Sequence, residues 1–208
     1  MTRLGFLFAR TFRREAPLAA LSLPEEALLA RFATERIALV GNARSLSQAA
    51  FGPEIDAADL VIRLNRAPMP AAASHGTRTD ALALATSLQA EALERLAPRL
   101  TLWMSPKRKR LPWHVASRRG FYLHSRVDYE DLKRRLGAPP STGLMTIDLL
   151  ARSRAASVTL YGFDFFASLS LTGSRTAAQV PHDFGAEARF VQALLESDPR
   201  FTLRGSPG

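Results

Sequence analysis

Apolar residues gather in seven short runs, at positions 37–40, 60–64, 81–85, 100–104, 121–123, 158–161 and 201–203. Bounded by Gly, Pro, Asn, Asp and Ser, such runs read as strands. Between several of them, at 88–96, 129–136, 143–151 and 184–195, apolar positions recur at three- and four-residue spacing, the period of a helix packed on one face. Strands that alternate with helices predict an α/β fold, a mostly parallel sheet of about seven strands with helices on both faces. Residues 1–35, punctuated by Pro17 and Pro24, are expected as a helical, basic N-terminal appendage, and residues 36–204 as one domain. No repeat, linker or second domain is apparent.

Length and composition narrow the picture. The 208 residues, 47% of them hydrophobic, suffice for one well-filled globular domain. The absence of cysteine excludes disulfides, thiolate metal sites and a catalytic thiol, and fits a cytoplasmic location. The apolar stretch 4–9 is too short to span a bilayer and makes a poor signal-peptide core.

The net charge of +9 implies an anionic partner without choosing among nucleic acid, anionic lipid and phosphorylated substrate. Arg3, Arg10, Arg13 and Arg14 surround Leu4, Phe6, Leu7, Phe8 and Phe12. This pattern suits either peripheral contact with the inner face of an anionic membrane or a helix packed on its own domain. A second cluster, Lys107 to Arg110, reads as a solvated loop near a strand end, within reach of a phosphate.

Three segments carry candidate chemistry. Two strands deliver Asn42 and Asn65 at their C-terminal ends, the side on which open α/β sheets bind ligands. An amide at each position offers donors and acceptors to a nucleotide. Gly41 makes a tight exit before Asn42, and Ser45 is placed to cap a short helix from Leu46. In the second segment two prolines precede Ser141, Thr142 and Gly143, where a hydroxyl can cap a new helix and glycine lets a ligand approach the backbone. That helix leads to a strand ending at Tyr161-Gly162. The third segment opens a helix with His182, followed by Glu187. Imidazole exchanges protons near neutral pH and suits a general base, and Glu187 could orient the ring or cap the helix. His75, His114 and His124 receive no catalytic role.

Together these segments resemble glycosyltransferase family 29, the sialyltransferases, including bacterial members. Val40-Gly41-Asn42, Phe51 to Asp56, Asp59, Arg63-Leu64-Asn65, Ala67-Pro68 and Gly76 to Thr79 resemble the large sialyl motif. Pro140 to Gly143 through Leu160 to Phe163 resemble the small motif, and His182 with Glu187 the very small motif.

The resemblance implies a modified GT-A (Rossmann-like) fold, with residues 36–204 as a glycosyltransferase catalytic domain. It implies an inverting, metal-independent transfer of a sialic acid or related 2-keto acid sugar from a CMP-sugar donor to a glycan or glycolipid acceptor. No cofactor is expected. Gly41, Asn42, Ser45, Asn65, Ser141, Thr142, Gly143, Tyr161 and Gly162 would form the nucleotide-sugar site, and His182 with Glu187 the catalytic pair. A monophosphate leaving group can be stabilised by N–H groups and arginines, which makes a metal dispensable. Asp128-Tyr129-Glu130, the nearest approach to an acidic metal motif, sits at an expected helix start, where acids favour the helix dipole.

Two departures accompany the match. Family members commonly carry a histidine that meets the donor phosphate between the small and very small motifs, and residues 165–180 contain none. Arg175 or a residue of the Lys107 to Arg110 cluster could take that role. The disulfide that links the large and small motifs in secretory-pathway members has no cysteines here, which leaves the sheet to packing.

Alternatives are a CMP-Kdo-type transferase and a catalytically weak CMP-sugar-binding relative. A basic nucleic-acid-binding module stacking bases on Trp103, Trp113 or Tyr122 is disfavoured by scattered charge and the lack of a recognised motif.

Overall fold

A computed structural model describes residues 1–164, 171 and 181–205. All seven predicted strands are present: β1 (Arg36–Val40), β2 (Leu60–Leu64), β3 (Ala81–Leu84), β4 (Leu100–Trp103), β5 (Phe121–Leu123), β6 (Ser157–Tyr161) and β7 (Phe201–Arg204). They form one sheet in the order β5-β4-β3-β2-β1-β6-β7, and every neighbouring pair is parallel. Parallel strands need crossovers, and here helices supply them on both faces.

Alternation along each strand assigns the two faces. Ile37 and Leu39, Ile62 and Leu64, Ala81 and Ala83, and Leu100 and Leu102 enter one cluster. It is covered by α3 (Glu25–Ala30), α8 (Arg126–Leu136), α9 (Thr142–Ala151) and α10 (Phe184–Ser197). On the opposite face Leu82, Leu84, Trp103, Phe121 and Leu123 pack under α1 (Arg3–Thr11), α2 (Glu15–Ala19), α6 (Ala90–Leu96) and α7 (Trp113–Ala116). Ala38, Val40, Val61 and Tyr161 pack under α4 (Gly52–Asp56) and Leu46 of the 3-10 turn Arg44–Gln48. The one helix between β2 and β3, α5 (Ala72–His75), sits against α4.

Arg63, in the middle of β2 and 1% exposed, stands on that second face. Its Nε donates to the Arg78 carbonyl at 2.7 Å and its Nη2 to the His75 carbonyl at 2.7 Å. Burial lowers its pKa to about 10, while Asp56 and Asp80 oppose the shift. A buried guanidinium needs such acceptors, because an unpaired buried charge is costly.

The first 35 residues form α1, α2 and α3, whose apolar side chains enter the two clusters that flank the sheet. Phe6, Ala9 and Leu18 belong to the cluster over β3 to β5, and Leu28 and Phe32 to the opposite one. Full burial of a large apolar side chain contributes about 1.5–3 kcal/mol. Leu23 N–H donates to the Phe121 carbonyl at 2.7 Å, and Ser22 Oγ accepts from Leu123 N–H at 2.8 Å. The N-terminal segment therefore covers the open side of edge strand β5, which would otherwise present unpaired backbone groups.

Candidate active site

The chain passes from β1 through β5 on one side of the sheet and returns on the other for β6 and β7. The direction of winding reverses between β1 and β6, the position at which α/β sheets open a ligand crevice. Each strand is followed there by a glycine, Gly41 after β1 and Gly162 after β6. A Cβ on Gly41 would stand 2.3 Å from the Gly162 carbonyl oxygen, so the two backbones touch in a way only glycine permits. Gly162 has φ of +66°, and its carbonyl accepts from Ala43 N–H at 3.2 Å.

The two strand-end asparagines converge. Asn42 Nδ2 donates to the Leu64 carbonyl at 3.3 Å, one residue before Asn65. Asn65, with φ of +54°, ties three elements together. Its Oδ1 accepts from Ala85 N–H at 3.0 Å beyond β3, and its Nδ2 donates to Thr142 Oγ1 at 3.4 Å at the start of α9. Asn42 Oδ1 has no partner among the described residues and remains available to a ligand.

Ser141 is the N-cap of α9 and accepts from Leu144 N–H at 3.2 Å. Glu187, on α10 and 4% exposed, accepts from Ser141 N–H at 2.7 Å and from Ser141 Oγ at 2.6 Å. Burial pushes the Glu187 carboxyl above its ordinary range, against the pull of the Ser141 bonds. Glu187 thus clamps the start of α9 and does not hydrogen-bond to His182; of the two expected roles, it holds a helix start, though that of a neighbouring helix. The N–H groups of Thr142 and Gly143 have no acceptor among the described residues, so this helix start can receive an anion or a ribose oxygen. A side chain at 143 would come within 2.8 Å of Phe163 Cε1. The glycine makes room for that ring, a use that the sequence did not reveal.

His182 immediately precedes Asp183, the N-cap of α10. Its Nδ1 lies 2.8 Å from the Pro139 carbonyl, two residues before Ser141. A carbonyl can only accept, so Nδ1 carries the proton, and in the neutral ring Nε2 keeps a lone pair. Phe184 meets the ring edge-on at 5.8 Å. The half-buried imidazole is held from one side, and its Nε2 has no hydrogen-bond partner among the described residues.

Other expectations meet a different arrangement. Ser45 does not cap a helix: the 3-10 turn has Ala43 at its N-cap, and Ser45 Oγ donates to Asp164 at 3.0 Å. Tyr161 turns its side chain away into the core, where its ring meets Phe51 at 5.6 Å and its phenol is influenced by the Glu54 carboxylate. Burial, then Glu54, raises that phenol's pKa. Only the Tyr161 backbone stays at the strand end, its carbonyl accepting from Gly41 N–H at 2.7 Å.

Within the basic cluster Arg108 is buried and pairs with Glu15, while it donates to the carbonyls of Ser105 and His124, so it is committed to the fold. Lys107, Lys109 and Arg110 are exposed. Arg175 lies outside the described residues. Trp103 and Tyr122 are buried and Trp113 packs on Phe6 at 5.2 Å, which removes the proposed stacking surface for bases.

Two residues at the site escaped the sequence reading. Arg44 and Arg66 are exposed just beyond Asn42 and Asn65, and neither pairs with a carboxylate among the described residues. Their adjacency to the strand-end asparagines was the signal. Among the described residues no group of three His, Asp or Glu side chains is arranged to hold a metal ion.

An open parallel sheet with a switch-point crevice, strand-end amides and a free helix start places this chain among nucleotide-using α/β proteins. Residues 14–116, about half the chain, match the model of glycosyltransferase family 29 (sialyltransferase), and the chain belongs to that family. A mammalian sialyltransferase solved in complex with Gal-beta-1-3GalNAc-ortho-nitrophenol is similar, with TM-score 0.66 and 16% identity over 98% of this chain and 85% of that one. The sialyltransferase CstII from Campylobacter jejuni, solved with the substrate analogue CMP-3FNeuAc, aligns with TM-score 0.57 and 11% identity over 82% of this chain and 81% of its own. At these identities the likeness establishes the shared fold. No curated protein sequence matches the chain.

Proposed function

We propose that the protein is a glycosyltransferase that moves sialic acid from CMP-sialic acid to a hydroxyl of a glycan acceptor, with inversion and without a metal. The observation that carries this reading is the continuous chain of bonds from Asn42 through Leu64, Asn65 and Thr142 to the Ser141 and Glu187 clamp, with His182 fixed to Pro139 beside it. Sialyltransferases of the same fold, one solved with a CMP-sugar analogue, support the donor class.

In this reading His182 Nε2 takes the proton of the acceptor hydroxyl as its oxygen attacks the anomeric carbon. The bond from that carbon to the phosphate oxygen breaks, and CMP leaves with the electron pair. A single base acting opposite the leaving group favours one in-line displacement, hence inversion. The free N–H groups of Thr142 and Gly143, with Arg44 and Arg66, would stabilise charge on the departing monophosphate. Those arginines fill the role that the missing histidine leaves open.

The test is CMP release and product formation by the purified protein from CMP-sialic acid and from CMP-Kdo, each with and without EDTA. CMP-sialic acid turnover unaffected by EDTA is expected. Turnover from CMP-Kdo alone would move the donor assignment, loss in EDTA would contradict metal independence, and tight CMP binding without turnover would make the protein a binding relative.

A further inference from the structure

Helix α1 has two apolar faces. Phe6 and Ala9 are buried against the domain, whereas Leu4, Phe8 and Phe12 are 79%, 52% and 63% exposed, and Met1 is 50% exposed. Leu4 and Phe8 lie four residues apart on α1, Phe12 continues that spacing at its C-cap, and Met1 precedes its N-cap, so the exposed apolar residues lie along the outer side. Of the five exposed large apolar residues among the described residues, all but Val127 lie here. Phe8 and Phe12 touch at 4.5 Å between ring centroids, and the Arg14 guanidinium lies 5.7 Å from the Phe8 ring.

The surroundings are uniformly basic. Arg3 on α1 and Arg13 and Arg14 just beyond it are exposed, and Lys107, Lys109 and Arg110 are exposed on a segment that α1 packs against. None of the six has an ion-pair partner among the described residues. Glu15 is the only carboxylate in residues 1–24 and 97–127, and it is committed to Arg108.

We propose that this face docks the protein on an anionic lipid surface, with Leu4, Phe8 and Phe12 inserted at the headgroup boundary and the surrounding lysines and arginines against lipid phosphates. A rim of unpaired cations around aromatic and aliphatic side chains matches the two components of interfacial binding, apolar insertion and attraction to anionic headgroups. The same rim opposes pairing with a second copy, since like charges would meet. The stripe ends close to the ligand edge of the sheet: Phe12 is three residues from Glu15, which grips Arg108 beside the carbonyls that follow β4 and β5.

The experiment is co-flotation of the full chain with vesicles of phosphatidylcholine alone and with vesicles in which a third of the lipid is phosphatidylglycerol. Binding is expected only to the anionic vesicles, weakened by salt, and reduced on the order of tenfold or more in Phe8→Ser/Phe12→Ser. Both positions are exposed, so the double variant should keep the wild-type melting temperature and the wild-type rate of CMP release with a soluble acceptor. No flotation with anionic vesicles, or flotation that the double variant leaves unchanged, overturns the proposal. So does a wild-type dimer that the double variant converts to monomer while neither binds lipid, since a second copy would then cover the stripe.

Discussion

Two polar clusters sit on the same sheet, and the family resemblance draws on both. In the first, Asp56 accepts from Thr77 N–H, Arg78 N–H and Thr77 Oγ, and Arg78 donates to the carbonyls of Asp56 and Ala58 and to Asp80. Arg63 lies beneath, with its Nη1 as the unpartnered nitrogen. In the second, Asn42 Oδ1, the N–H groups of Thr142 and Gly143, and Nε2 of His182 keep hydrogen-bonding capacity at the C-terminal edge of the strands. A motif that identifies a family thus mixes two duties. Gly76 to Asp80 with Asp56 close the connection between β2 and β3, while the strand-end and helix-start groups face the crevice.

The contrast is tested first at its largest expected effect. His182→Ala should lower transfer by about 10²–10⁴-fold, the range for loss of a general base, with the melting temperature nearly unchanged. Steady-state kinetics and thermal melts read the two sides separately. Asp56→Ala should do the reverse. Removing an ionised acceptor of three hydrogen bonds should cost about 2–3 kcal/mol of stability in denaturant titrations, while folded enzyme keeps its turnover. Equal loss of rate in both variants would erase the distinction.

An effect confined to acid pH comes from His124, 1% exposed with neither ring nitrogen bonded among the described residues. Burial lowers its pKa from 6.5 to about 4. Its contribution is complete above the unfolded value of 6.5 and is lost as pH falls toward about 4, because the unfolded chain takes up a proton that the fold refuses. Over that window the loss should be about 1.4 kcal/mol per pH unit. His124→Leu should flatten this part of the stability profile and leave CMP binding alone.

Much of this architecture was legible in the sequence, for identifiable reasons. Strands buried on both faces appear as short apolar runs, and helices α6, α8, α9 and α10 are long enough to show their period. The short helices Gly52–Asp56, Ala72–His75 and Trp113–Ala116 are too brief for periodicity to reveal. Helix α1 read as a single amphipathic pattern because its apolar residues serve two opposite surfaces. At the site, positions were legible and partners were not. Glu187 reaches Ser141 rather than His182, Ser45 reaches Asp164, and Tyr161 reaches Glu54. Each partner lies far away in sequence and is brought near by packing alone.

The central claim is that groups left open at the strand ends, and not the closed Asp56 cluster, hold the nucleotide. Calorimetric titration of CMP into wild type and Asn42→Ala tests it most directly. Binding weakened by about tenfold or more is expected, the equivalent of losing one well-placed hydrogen bond from a buried ligand, with the fold intact. Wild-type affinity in Asn42→Ala would contradict it.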